Sequence, residues 1–255
     1  MSGATLGKGR CRALAGVVAG ALLLGGCGHR LASSPESSAW ATASLLSQTP
    51  MWEHRTFKNR APTDYQGTQH QGRPALHAHS RSGSSLMRHR LQWPGDRLGT
   101  LHFSWFIEAL QPAFDLTDRD AEDAVARVIL TFEGDRSRLS ARDRALSELA
   151  LLVTGELLPY ATLMYVWDHQ HPEGTVLKHP ASSRIRLLVV RSGADGLGRW
   201  QDIDRDVRAD FEHVFGETPA TLTGIGLMTD ANNTGLTAQA WFGPVRLGTV
   251  VATEP

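Results

Sequence analysis

Leu101-His102-Phe103-Ser104-Trp105-Phe106-Ile107 sets a large apolar side chain at every odd position. A period of two drives one face of an extended chain into a core, and a helix cannot reproduce it. On either side of this run, short apolar or alternating segments recur between Gly and Pro: Trp52 to Phe57, Pro74 to Ser80, Leu98 to Ile107 and Val125 to Phe132. Further strands are expected at Ala161 to Trp167, Arg184 to Arg191, Trp200 to Asp204, Thr221 to Thr229 and Thr237 to Leu247. The period changes twice. Ser140 to Thr154 brings Leu146, Leu149, Leu152 and Val153 onto one helical face, with Ser140 and Asp143 imitating a capping box and Gly155 ending the helix. Asp206 to Phe215 is apolar at Val207, Phe211, Val214 and Phe215 and ends at Gly216. Helices do not alternate with strands, which argues against a parallel βαβ sheet. The expected fold is therefore all-β, a jelly-roll type β-sandwich of nine or ten strands with two short helical insertions.

Composition agrees. The 255 residues are 41% hydrophobic and 20% charged, enough to bury one sizeable core. Lys and Arg balance Asp and Glu at 26 each, which argues against bulk nucleic-acid binding, since that needs a basic face. The 25 Gly and 12 Pro suit many tight turns.

The first 27 residues carry an address. Lys8, Arg10 and Arg12 precede an apolar run from Ala13 to Leu24, too short for a permanent bilayer helix but laid out as a secretory signal. It ends in Leu24-Gly25-Gly26-Cys27, which resembles a bacterial lipobox; the resemblance implies that Cys27 becomes the lipidated N-terminus. The only other cysteine is Cys11, and the resemblance implies that it lies in the removed segment and that the mature domain would have no disulfide. The expected organisation is a signal peptide over 1–26, a lipidated Cys27 with a Ser- and Ala-rich flexible tether over 27–50, and a sandwich over 51–255. Gly28, where an Asp would favour inner-membrane retention, points to the periplasmic face of the outer membrane.

Several segments in order resemble one bacterial family: Leu158-Pro159-Tyr160-Ala161-Thr162-Leu163-Met164-Tyr165-Val166-Trp167, then Arg205-Asp206-Val207 with Asp210-Phe211 and Phe215-Gly216-Glu217, then Gly224 to Gly235. With Trp105 and the Asp120, Asp123, Arg127 stretch, they are similar to the domain-of-unknown-function family 3047. The chain departs from that pattern at Glu122, where an Asp is expected, and at Ala231-Asn232, where Thr-Asp is expected. The resemblance implies an exported envelope protein of unestablished activity.

The familiar motifs of metalloproteases, P-loops, nucleophile elbows and dinucleotide folds are absent from the sequence. Four constellations are left. Asp115, Asp118, Asp120, Glu122 and Asp123 crowd one loop near Arg119 and Arg127, where carboxylates serve a cation, an acid-base pair or ion pairs with Arg. The turn from Asp230 to Gly235 concentrates oxygens from Asp230, Asn232, Asn233 and Thr234, as a hard cation or a plain turn requires. His77 with His79, and His169 with His171 beside Asp168, pair imidazoles without a recognisable third ligand. Trp93, Trp167, Trp200 and Trp241, with Tyr160 and Tyr165, are platforms for sugar rings or members of the core.

The leading expectation is a glycan-binding module whose binding face holds Asp123, Arg127, Trp167 and Asp230. The rival is a polysaccharide-cleaving enzyme using Asp120 or Asp123 with Asp206, and a third is a structural or assembly lipoprotein with a protein partner. No cofactor is expected beyond a structural Ca²⁺, for which Asp230, Asn232 and Asn233 are the candidate ligands. The membrane is a partner through the lipid on Cys27, and nucleic acid is not one.

Overall fold

The structure is a computed structural model and describes residues 34–44, 46 and 52–249; the expected signal and Cys27 lie outside these residues. Thirteen strands form among the described residues: β1 (Trp52–Thr56), β2 (Asp64–His70), β3 (Arg73–Arg81), β4 (Ser85–Pro94), β5 (Leu98–Phe106), β6 (Arg127–Glu133), β7 (Ala161–Asp168), β8 (Val176–Lys178), β9 (Ile185–Ser192), β10 (Gln201–Asp206), β11 (Thr221–Met228), β12 (Thr237–Phe242) and β13 (Arg246–Thr249). They make a seven-stranded sheet in the order β1-β4-β11-β6-β7-β9-β8 and a six-stranded sheet in the order β10-β5-β12-β3-β2, with β13 also on β5. All pairings are antiparallel except β7 with β9. This is a jelly-roll type β-sandwich.

The two sheets meet through the alternation first seen at Leu101 to Ile107. Phe103 stacks on Tyr165 of β7 at 5.8 Å, and Trp105 lies 6.2 Å from Trp167. Ser104 and Phe106, on the opposite face, are buried too, because His70, Trp200 and Trp241 cover that end of β5. The expected strand from Thr237 to Leu247 is broken into β12 and β13. Pro244 has no N–H to give the ladder, and a Cβ on Gly243 would lie 2.1 Å from the Ser104 hydroxyl, so the chain steps aside there. β2 and β4 escape the sequence pattern because charged and polar residues fill five of seven positions in the first and five of ten in the second; Tyr65 and Met87 supply buried contacts.

The tether expected over 27–50 is overturned for residues 34–44 and 46. Ser38 caps α1 (Ala39–Ala43), and Trp40 is fully buried, 4.7 Å from Trp52, with its indole N–H donating to the Gly243 carbonyl at 2.9 Å. The Ser44 hydroxyl accepts from Val245 N–H at 3.1 Å. The domain therefore begins no later than Ser34. Composition misled here, since one Trp among Ser and Ala is enough to dock a segment when a pocket waits for it.

Both longer helices form as periodicity requires. α2 (Ala141–Thr154) is capped by Ser140 and ended by Gly155 at φ +76°; α3 (Val207–Phe215) is capped by Asp206 and ended by Gly216 at φ +69°. α3 buries Val207 and Phe211. α2 buries Asp143 and Ser147 and leaves its apolar face, Leu149, Leu152 and Val153, in solvent.

Candidate functional site

The outward face of the seven-stranded sheet floors an open cleft of about 670 Å³. Strand alternation decides which side chains reach it. Val128, Leu130 and Phe132 of β6 enter the sandwich, so Arg127, Ile129 and Thr131 face the cleft; Thr162 and Met164 of β7 and Met228 of β11 join them. Gly224 and Gly226 keep the floor low, since a Cβ at Gly224 would sit 2.8 Å from the Thr131 hydroxyl. One wall is the polar face of α2. Asp143 accepts hydrogen bonds from the hydroxyls of Ser140, Ser182 and Ser183 at 2.7, 2.7 and 2.5 Å, tying the helix to the loop before β9. The inverted helix thus has a local cause: its carboxylate and serines build the cleft.

A buried charge cluster closes one end. Arg127, 2% exposed, donates to the Glu122 carboxylate at 2.6 Å, to the Glu122 carbonyl at 2.9 Å and to both Asp230 oxygens at 3.2 Å. His179 lies 2.8 Å from the second Glu122 oxygen. Burial alone would raise the Glu122 carboxyl, yet the Arg127 charge and the His179 hydrogen bond overcome it and hold it at about 2. Asp230 goes the other way. Burial pushes it up to about 6 against the pull of Arg127, with Asp123 and Glu122 adding like charge. One guanidinium therefore separates an ionised carboxylate from one that titrates near pH 6. Arg119 and Arg60, both exposed, line the cleft nearby, and Arg60 reaches the Asn232 side-chain oxygen at 3.1 Å.

The acidic loop and the Asp230 turn are thus neighbours. Asp123, fully buried, accepts from the backbone N–H of Asn233 at 3.1 Å and of Thr234 at 2.8 Å, and from the Thr234 hydroxyl. Asp230 accepts from Ala124 N–H at 3.1 Å. Of the four expected binding residues, Arg127 and Asp230 line the cleft, whereas Asp123 is a turn clamp and Trp167 is core. Trp167 is 2% exposed and its indole donates to the Gly193 carbonyl, so it offers no sugar platform. The pairing of Asp120 or Asp123 with Asp206 is overturned. Asp206 caps α3 on the six-stranded sheet through Ala209 N–H, and Asp120 is an exposed loop residue.

The other candidates have local explanations. Asn232 and Asn233 bond to each other, and Asn233 donates to the Arg119 carbonyl, so the oxygens proposed for Ca²⁺ face arginine and amide donors. Among the described residues no group of three or more His, Cys, Asp or Glu is placed to hold a metal ion. Asp168 gathers the N–H groups of His169 and His171 and the His171 ring at 2.6 Å. His70 and His77 stack on the two sides of Trp241 at 4.2 and 4.6 Å, leaving that indole no open face. Asp143 and His179 were not legible as site residues: serine, histidine and aspartate in three separated segments carry no spacing that marks them.

A family model described as a protein of unknown function, DUF3047, matches residues 50–246. No curated protein matches the chain. Among solved structures, the chain is similar to the xyloglucanase domain of NopAA, a type three effector from Sinorhizobium fredii, solved with cellobiose: 8% identity, 78% of this chain, 92% of that one, TM-score 0.39. It is also similar to an engineered Cel12A cellulase of Rhodothermus marinus, at 10% identity over 78% of this chain and 96% of that one with TM-score 0.38. A third is the family 11 xylanase from Neocallimastix patriciarum, at 7% identity over 78% and 100% with TM-score 0.33.

Proposed function

The chain belongs to the DUF3047 family of proteins of unknown function, and from that premise we propose that it is a lipid-anchored envelope protein that binds a glycan in the cleft on its seven-stranded sheet. The observation that carries this reading is the cleft itself, an open trough of about 670 Å³ with apolar floor side chains and polar walls. Sugars present apolar C–H faces and hydroxyl rims. Ile129, Met164 and Met228 suit the first; Arg119, Thr131, Thr162 and His179 suit the second. Phe57 is the aromatic side chain among the lining residues, so apolar contact with Met and Ile replaces indole stacking. The anchor is supported by the Lys8 to Cys27 signal pattern, and the face of the membrane by Gly28.

A thermal-shift screen of residues 34–255 against bacterial and plant glycans tests it. A glycan that raises Tm in the wild type, and does so much less in Arg119→Ala and His179→Gln, supports the reading. Absence of any shift, or an undiminished shift in both variants, overturns it. The fragment must include Trp40; one begun at Met51 would open the core.

A second reading, cleavage of the bound glycan, is favoured by one observation: Glu122 near 2 and Asp230 near 6 share Arg127. Release of reducing ends that is lost in both Glu122→Gln and Asp230→Asn, with binding retained, would establish it.

A further inference from the structure

Six of the seven large apolar side chains exposed among the described residues fall between Leu149 and Leu158: Leu149, Leu151, Leu152, Val153, Leu157 and Leu158. Leu152 is 84% exposed, Val153 59% and Leu149 57%. Their spacing along α2, at i, i+3 and i+4, is the stripe that normally faces a core. Here the opposite, polar face is spent on the cleft wall through Asp143 and Ser147, so the stripe is continuous and has no cover among the described residues. Contiguous exposed apolar side chains on a soluble domain mark a docking surface.

We propose that this face rests on a lipid surface, with the apolar side chains entering the interface of an anionic bilayer. Two observations select lipid. The exposed surface of α2 carries Arg142, seven residues ahead of Leu149 on the same side, and, off the stripe, Arg144 beside its i+4 neighbour Glu148, the one exposed carboxylate of the helix. That balance complements anionic headgroups, as interfacial helices do. The second is the position of the chain that leads to the anchor. Pro35–Ser37 packs beside β1, and Glu156, just past α2, pairs with Arg55 of the same edge strand at 3.6 Å. Cys27 is seven residues ahead of Ser34, a reach of at most about 25 Å. Ser34, from which the chain runs back toward Cys27, and the C-terminal end of α2 therefore lie along one edge of the sandwich. Among the described residues no helix is long and apolar enough to cross a membrane. The anchor argument rests on the proposed lipidation; the surface itself does not.

The test is co-sedimentation of residues 34–255, which hold the whole described core and lack Cys27, with vesicles of phosphatidylethanolamine and phosphatidylglycerol and with neutral phosphatidylcholine vesicles. The wild type is expected to partition onto the anionic vesicles. The double variant Leu149→Glu, Leu152→Glu is expected to lose on the order of tenfold or more while its Tm stays unchanged, because both side chains already face solvent. Arg142→Glu with Arg144→Glu should weaken the anionic case and spare any neutral binding. Failure of the wild type to sediment overturns the proposal, as does equal sedimentation of the leucine double variant. A dimer in sedimentation equilibrium that the double variant disperses, without vesicle binding, also overturns it and assigns the face to a second copy. Neither glycan nor lipidation enters this assay, so the glycan reading fails or stands separately.

Discussion

α3 turns Val207 and Phe211 into the sandwich, where Phe211 lies 4.5 Å from Phe132 and 4.6 Å from Phe215, whereas α2 turns Asp143 and Ser147 inward and leaves Leu149, Leu152 and Val153 outside. Both sequences show an Ncap residue, an apolar stripe and a glycine stop. What separates them is the surface each lands on. α3 lies against β5 and β10, beside apolar side chains of the core. α2 lies over the outward face of the seven-stranded sheet, where serines and Arg136 wait for hydrogen bonds. Periodicity states that a helix has two faces, and the partner surface chooses between them.

The comparison can be broken most forcefully at Phe211. Phe211→Ala is expected to cost about 3–5 kcal/mol by chemical denaturation, the range for an aromatic lost from a closed core. Next comes Glu122. Its native carboxyl is held at about 2, below the ordinary 4.5, so its contribution is present above pH 4.5 and is lost as pH falls toward 2, on the order of 3 kcal/mol. Asp230 is raised to about 6, so the native state binds its proton first and stability declines as pH rises from about 4 to 6. Tm should therefore peak between pH 4 and 5, and Glu122→Gln should flatten the acid limb and, by removing a like charge beside Asp230, move the other limb to lower pH. A monotonic profile would contradict the cluster.

Asp143→Ala removes the acceptor of three hydroxyls and should cost about 1–3 kcal/mol. Amide exchange should speed up in α2 and not in α3, because polar contacts, not apolar burial, hold α2 down. The smallest effect belongs to Leu152→Ser, expected within about 0.5 kcal/mol for a residue 84% exposed. A loss comparable to that of Phe211→Ala would show that the outer stripe of α2 is covered in solution, and the contrast between the helices would fall.

How much was legible follows the same division. Leu101 to Ile107, both helix ends and most strands were readable because strand alternation, capping and glycine stops are written in neighbouring residues. β2 and β4 were not, since their polar residues gain strand geometry only from the strands beside them. Trp40 was hidden by its Ser- and Ala-rich surroundings. In the site, Arg127 and Asp230 were legible as chemistry, and their union was not: 103 residues separate them, and β11 pairing with β6 brings them together. Trp167 had the right residue type for a sugar platform and the wrong side of β7.

The sequence by itself determined the class of fold, the period of most strands and of the two longer helices, and the ends of those helices, because each depends on residues within a turn or a strand of one another. Tertiary structure alone decided that Asp123 would clamp a turn, that Glu122 and Asp230 would share one arginine with opposite shifts, and that α2 would face outward. Those outcomes depend on burial and on charges brought together across the sheet, and neither quantity exists along an extended chain.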